Sequence, residues 1–185
     1  MAEEVKTEGG KRTQILDPTP DRKKHLTEVL YAFLNDKVSL AELKGISRND
    51  LFKLSEAGYT KFKHGRLDEA EKIFKALTLL DHRNAYFHAM MGAVHQKNRK
   101  PIEAILEYTQ AVKINSKDIA SYVNRGELYL RHKNYRKAAE DFRQAILLDM
   151  SGANMWSNRA RSLVIAIKRS MEADARRPKI APPRR

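Results

Sequence analysis

Three consecutive stretches of this chain align without a gap: LFKLSEAGYTKFKHGRLDEAEKIFKALTLLDHRN at 51–84, AYFHAMMGAVHQKNRKPIEAILEYTQAVKINSKD at 85–118, and IASYVNRGELYLRHKNYRKAAEDFRQAILLDMSG at 119–152. Gly58, Gly92 and Gly126 recur with a spacing of 34 residues. The same spacing relates Ala70, Ala104 and Ala138, the aromatic residues Phe74, Tyr108 and Phe142, the aliphatic Leu80, Ile114 and Leu148, and the polar Asp81, Asn115 and Asp149. Several unrelated residue classes holding one period three times define an internal repeat. A fixed period of this length is the mark of a stacked helical array.

Each unit reads as two helices joined by a turn. In the first, Leu54, Ala57, Gly58 and Phe62 share a stripe on a helix A. Gly65 supplies the turn. Leu67, Ala70, Ile73, Phe74 and Leu77 mark a helix B. A glycine inside a helix costs about 1 kcal/mol relative to alanine, so three glycines in one register require a packing reason. Close approach of the two helices is that reason, with the alanines at 70, 104 and 138 opposite and the aromatic residue four positions on filling the space beside them. Pro101 suits the first turn of a helix, where its missing N–H is no loss, and Asn134 suits an N-cap. The period is that of the tetratricopeptide repeat. The expected fold is therefore all-α: a tetratricopeptide-repeat superhelix of three helix-turn-helix repeats, with an N-terminal helix and a C-terminal capping helix.

The flanks complete this plan. Leu26, Val29, Leu30, Phe33 and Leu34 form a helical stripe, 36–39 break it, and Leu40, Leu43 and Ile46 suggest a short second segment, giving an N-terminal helical region over 21–46. Residues 153–174 begin like a fourth helix A, with Trp156 and Ala160 in place. The polar Arg159, Arg161, Lys168 and Arg169 give this segment the outer face of a capping helix. The Gly- and Pro-containing stretch 1–20 and the Arg/Pro-rich stretch 175–185 are expected to be a disordered arm and a basic disordered tail.

Composition narrows the functional classes. The chain has no cysteine, which removes disulfide scaffolds and cysteine-rich zinc sites. Its acidic, polar start does not read as a secretory signal. The longest aliphatic run, 163–167, is far below the roughly 20 residues of a membrane helix. The expectation is a soluble, cytoplasmic protein. Of the net charge of +13, a large part sits in residues 159–185, which carry nine basic and two acidic side chains. Such a tail suits salt-sensitive docking on an anionic partner, an acidic protein, nucleic acid or a membrane surface. The tail lacks aromatic residues for base stacking, so nucleic acid is not the favoured partner. No phosphate-binding glycine loop, HExxH or GxSxG is present, and no catalytic residue, cofactor or metal is expected. His88 and His95 fall where the repeat places inter-helix side chains, with no carboxylate on their stripe, and read as structural. Glu69, Glu71, Glu103 and Glu107 read as solvated charges on helix B surfaces.

The concave face of such a stack is lined by the A helices. The residues expected to point into it are Phe52, Ser55, Glu56, Tyr59, Phe62 and Lys63 from the first repeat. From the second they are Tyr86, Ala89, Met90, Ala93, Gln96 and Lys97, and from the third Ala120, Val123, Asn124, Glu127, Leu130 and Arg131. Aromatic walls around small residues make pockets, and a rim of Lys63, Lys97 and Arg131 can hold carbonyls or acidic side chains. An extended peptide with apolar anchors fits such a groove. The alternative is that these aromatic residues pack beneath the N-terminal helix. A clamp for the carboxyl terminus of a heat-shock chaperone is not indicated, because Ser55, Tyr59, Met90 and Ala120 stand where cations would be needed.

The stretch LAELKGIS at 40–47, followed by 51–96, resembles the class II chaperones of bacterial type III secretion, which bind hydrophobic translocator subunits before export. The resemblance rests on the apolar N-terminal helix, Ile46-Ser47, the run of Gly65, Ala70, Phe74, Leu77, Leu80, Asp81 and His82, and then Tyr86, Phe87, Gly92 and Gln96. It covers about residues 25–150. It implies a non-catalytic chaperone that holds an extended client segment in the groove, anchored at Phe52, Tyr59, Phe62, Tyr86, Ala89, Ala93 and Val123, with the N-terminal helix helping to form a homodimer. The basic character and the tail depart from the family pattern.

Overall fold

The computed structural model describes residues 20–35 and 37–176. The expected arm and tail lie outside these, apart from Pro20, Ala175 and Arg176, which are helical. The chain divides into two units between residues 38 and 39. The first contains one described helix, α1 (Pro20–Leu34), on which Leu30, Tyr31 and Leu34 are exposed.

The second unit is a right-through stack of helices, with no strand among the described residues. A short α2 (Leu40–Leu43) begins it, closed by a reciprocal capping box between Ser39 and Glu42. The three repeats follow as helix pairs: α3 (Arg48–Lys63) with α4 (Leu67–Leu80), α5 (Ala85–Lys97) with α6 (Pro101–Ile114), and α7 (Ile119–Arg131) with α8 (Tyr135–Leu148). The long α9 (Met155–Arg176) packs on α7 and α8. Ser47, Asn84, Asp118 and Asn134 each cap a helix N-terminus through a side-chain oxygen, and Pro101 occupies a first-turn position.

The repeating glycines lie within the A helices, and each meets the aromatic ring of its own repeat. A Cβ on Gly58 would sit 3.0 Å from Phe74 Cε2 and 2.9 Å from Ile73 Cγ2. On Gly92 it would sit 2.9 Å from the Tyr108 ring, and on Gly126 2.7 Å from that of Phe142. The contact is therefore more direct than expected. The ring itself lies against the glycine, while Ala70, Ala104 and Ala138 are completely buried beside it. Because Phe74, Tyr108 and Phe142 are themselves sealed in the core, they cannot swing aside.

The turns within the repeats share a second constraint. Gly65, Arg99 and Lys133 occupy one register, and all three have positive φ, +75°, +58° and +59°. Only the first repeat places glycine there, so the other two carry the steric cost of a left-handed residue with a side chain.

Two substitutions test this packing. Gly126→Ala gains about 1 kcal/mol of helix propensity but overpacks the Phe142 ring, at a typical cost of 1–3 kcal/mol. A net loss of about 1 kcal/mol is expected in urea unfolding, and an unchanged midpoint would show that the ring yields freely. Lys133→Gly relieves the left-handed residue and is expected to stabilise the fold by about 0.5–1 kcal/mol.

Candidate functional site

The inner surface of the stack carries two cavities that meet at Ala85 and Tyr86. The first, about 1120 Å³, lies between α2, α3, the 81–84 turn and the start of α5. Phe52, Tyr59 and Tyr86 line it and keep 59%, 43% and 47% of their surface exposed. Ser55 and Glu56 line it as well. The second, about 730 Å³, runs along α5 to α7. It is walled by Phe62, Tyr86, Ala89, Met90, Ala93, Ala120 and Trp156, with Gln96, Lys97, Asp118, Asn124 and Arg131 adding polar groups. The three alanines leave the room that the aromatic residues enclose. Tyr59 and Phe62 stack with ring centroids 6.4 Å apart. Lys63 Nζ stands 5.8 Å from the Tyr59 ring centre, and Lys97 Nζ stands 4.3 Å from that of Phe62, in cation–π range.

Several expected groove residues are placed differently. Val123 is completely buried with Phe142, Ala138 and Ala160 rather than open to the groove. It lies three positions before Gly126, and residues i and i+3 share a helix face, so its side chain turns toward α8. Ser55 stands in the same register before Gly58. It touches the first cavity but is 3% exposed, and its hydroxyl donates to the Phe52 carbonyl at 2.7 Å. Glu127 is buried and held by Arg159 of α9, with one contact at 3.0 Å. Covering of α7 by α9 removes it from the groove. Lys63 borders Tyr59 without lining either cavity.

Several side-chain roles escaped the sequence reading. His88 does bond a carboxylate from a neighbouring helix, and His95 lies within ion-pair distance of one without a hydrogen bond. His88 Nδ1 is 2.7 Å from Glu107 Oε2, and its Nε2 is 2.9 Å from the His82 carbonyl oxygen. His95 Nδ1 is 3.9 Å from Glu71, which accepts from Lys100 at 2.9 Å and from Asn98 at 2.9 Å. Glu71 and Glu107 are thus inter-helix ties rather than free surface charges. Arg125 likewise forms a two-pronged pair with Asp141 and donates to Thr109 of the preceding repeat at 3.0 Å. A signal existed: the register of Ile73 is acidic in the next two repeats, as Glu107 and Asp141, and an acid at a core register calls for a basic partner. Trp156, expected in the cap, also walls the second cavity because α9 folds back on α7 and α8.

The hydroxyl of Tyr108 donates to Gln96 Oε1 at 2.8 Å, and burial pushes its pKa well up, with Glu127 and Asp118 adding. Burial, helped by Tyr59 and Glu56, also raises the Tyr86 hydroxyl. Both stay neutral hydrogen-bonding groups. Among the described residues, no three His, Cys, Asp or Glu side chains converge as a metal site, and no helix is long and apolar enough to cross a membrane.

A stack of paired helices with one small-to-aromatic contact per unit and a lined inner face is the fold of tetratricopeptide repeats. The sequence model of the tetratricopeptide repeat matches residues 119–151. Low calcium response locus protein H of Yersinia pestis is 26% identical over 145 residues, spanning 77% of this chain and 86% of that protein. Among solved structures, a type III secretion complex from Aeromonas hydrophila is 28% identical with a TM-score of 0.73, covering 78% of this chain and 98% of that one. The Yersinia enterocolitica type III secretion chaperone SycD, in complex with a peptide of the translocator YopD, is 25% identical with a TM-score of 0.64. It covers 68% of this chain and 98% of its own. The chain has the helical repeat fold of tetratricopeptide proteins and resembles the translocator chaperones of type III secretion.

His88 has an acceptor at each ring nitrogen, a geometry that only the protonated imidazole satisfies with two donors. Burial, the largest influence, lowers its pKa, but the Glu107 carboxylate and the His82 carbonyl outweigh it and the net direction is upward from 6.5. A raised folded pKa contributes stability that is fully present below the unfolded value and lost as pH rises through the folded one. Glu107→Gln should therefore cost about 1.5–3 kcal/mol near about pH 5.5. That cost should shrink at higher pH in urea unfolding. A pH-independent difference would show a neutral His88.

Proposed function

We propose that the chain is a non-catalytic, cytoplasmic chaperone that holds an extended segment of a protein client in its inner groove, as a translocator chaperone of type III secretion does. The observation that carries this reading is the set of Phe52, Tyr59 and Tyr86, three half-exposed rings converging on one cavity. Large apolar side chains left open in a rigid concave wall are anchoring surfaces for a partner. The adjoining cavity, with Ala89, Ala93 and Ala120 between Phe62, Met90 and Trp156, continues the path for a chain several residues long. Polar groups at Gln96 and Asn124 reach the same space and can pair with the backbone of an extended guest.

The relatives support the same reading: one solved neighbour is a chaperone holding a translocator peptide. The groove residues in this proposal are Phe52, Tyr59, Phe62, Tyr86, Ala89, Met90, Ala93, Gln96, Lys97, Asn124 and Arg131. The exposed Leu30, Tyr31 and Leu34 of α1 provide an apolar surface through which two protomers can pair.

The test is co-expression with the apolar export substrates of the same host, followed by titration of the captured client. Tyr59→Ala and Tyr86→Ala are each expected to weaken binding by about 1–3 kcal/mol, the loss of an aromatic hot spot. Equal affinity of both variants and the wild type for a confirmed client would place binding elsewhere on the molecule.

A further inference from the structure

The last residue of every A helix is a cation: Lys63 ends α3, Lys97 ends α5 and Arg131 ends α7. All three side chains are exposed, and among the described residues none of them pairs with a carboxylate. Lys97 and Arg131 line the second cavity, and Lys97 is held over the Phe62 ring of the preceding repeat. Exposed Glu56 lies on the wall of the first cavity, but the acids near the second cavity are committed elsewhere. Asp118 accepts from the backbone N–H and the hydroxyl of Ser121 at its helix N-cap, and Glu127 is taken by Arg159. The uncommitted charge of the second cavity is therefore positive.

A cation in the last turn of a helix is favourable by itself because it faces the negative end of the helix dipole. That accounts for a basic residue type there. It does not account for two such groups lining one apolar cavity whose acids are already engaged. Unpartnered charges beside a low-dielectric wall attract an opposite charge more strongly than the same groups in open water.

Resting on the groove reading above, we propose that the client segment is acidic, carrying Asp or Glu side chains that follow the rim of Lys63, Lys97 and Arg131 while its apolar side chains enter the cavities. An extended chain advances about 3.3 Å per residue.

The experiment is selection of random peptides of about a dozen residues on the full chain, long enough to span the two cavities at that rise, and scoring of only those whose binding is lost with Tyr86→Ala. The expected result is enrichment of Asp and Glu among the groove-dependent peptides. Their affinity should fall about two- to fivefold for each of Lys97→Gln and Arg131→Gln, and fall further with added salt. If groove-dependent peptides are neutral or basic, or are indifferent to both glutamine variants, the acidic-client inference is wrong and the groove stands. If no selected peptide responds to Tyr86→Ala, the groove reading has failed and this inference falls with it. Both rim side chains are exposed, and matching unfolding midpoints for the variants confirm that the charge, not the fold, has changed.

Discussion

The contact of a glycine on one helix with an aromatic ring on the next sets the geometry of everything else in the stack. At Gly58, Gly92 and Gly126 the two helices of a repeat approach so closely that no other residue fits without moving a sealed ring. Helix pairs locked this way can only be stacked with a constant offset, because each A helix must also meet the B helix of the repeat before it. A constant offset between units is what produces a curved array with one hollow side. The cost of glycine in a helix is thus offset by the interdigitation it permits, three times over.

That constraint also sorts the remaining positions of the A helices. Among the residues three before the glycine, Ser55 and Val123 turn toward helix B and are buried, whereas Ala89 in the same register also lines the second cavity. Other positions of the A helices differ from repeat to repeat: Phe52, Tyr86 and Ala120 share one register, as do Tyr59, Ala93 and Glu127, the last buried against Arg159. The aromatic residues cluster toward the first repeat and the small ones toward the second and third. The two cavities inherit that gradient, a ring-lined one leading into an alanine-floored one. Curvature comes from what is repeated, and the character of the proposed client groove comes from what is not.

Electrostatics follow a similar division. Between the helices, acids and bases are matched: Arg125 with Asp141, Glu107 with His88, Glu71 with Lys100. Buried or half-buried charges require such partners. At the groove rim the matching stops, and cations stand beside aromatic faces. A chain with a net charge of +13 is positive in many places, and at that rim Lys97 and Arg131 stand on the wall of a concave apolar surface.

Much of this was legible in the residue order. Repeat period, helix pairing, turn at Gly65, caps at Asn134 and Pro101, and the aromatic and alanine lining of the groove all depend on spacing along the chain, and spacing is a local property that helical geometry converts directly into faces. What could not be read that way were relations across helices. Glu127 looked like a groove residue until α9 folded over α7 and supplied Arg159. His88 looked partnerless on its own stripe because Glu107 arrives from α6. Trp156 became a wall of the second cavity only through the return path of α9. The sequence alone determined which residues share a helix face, since 3.6 residues per turn does that without help from the rest of the chain. Which face meets which neighbour, and therefore which charge is neutralised and which is left open, was decided only by the tertiary packing, because contacts between helices depend on offsets and angles that no single helix encodes.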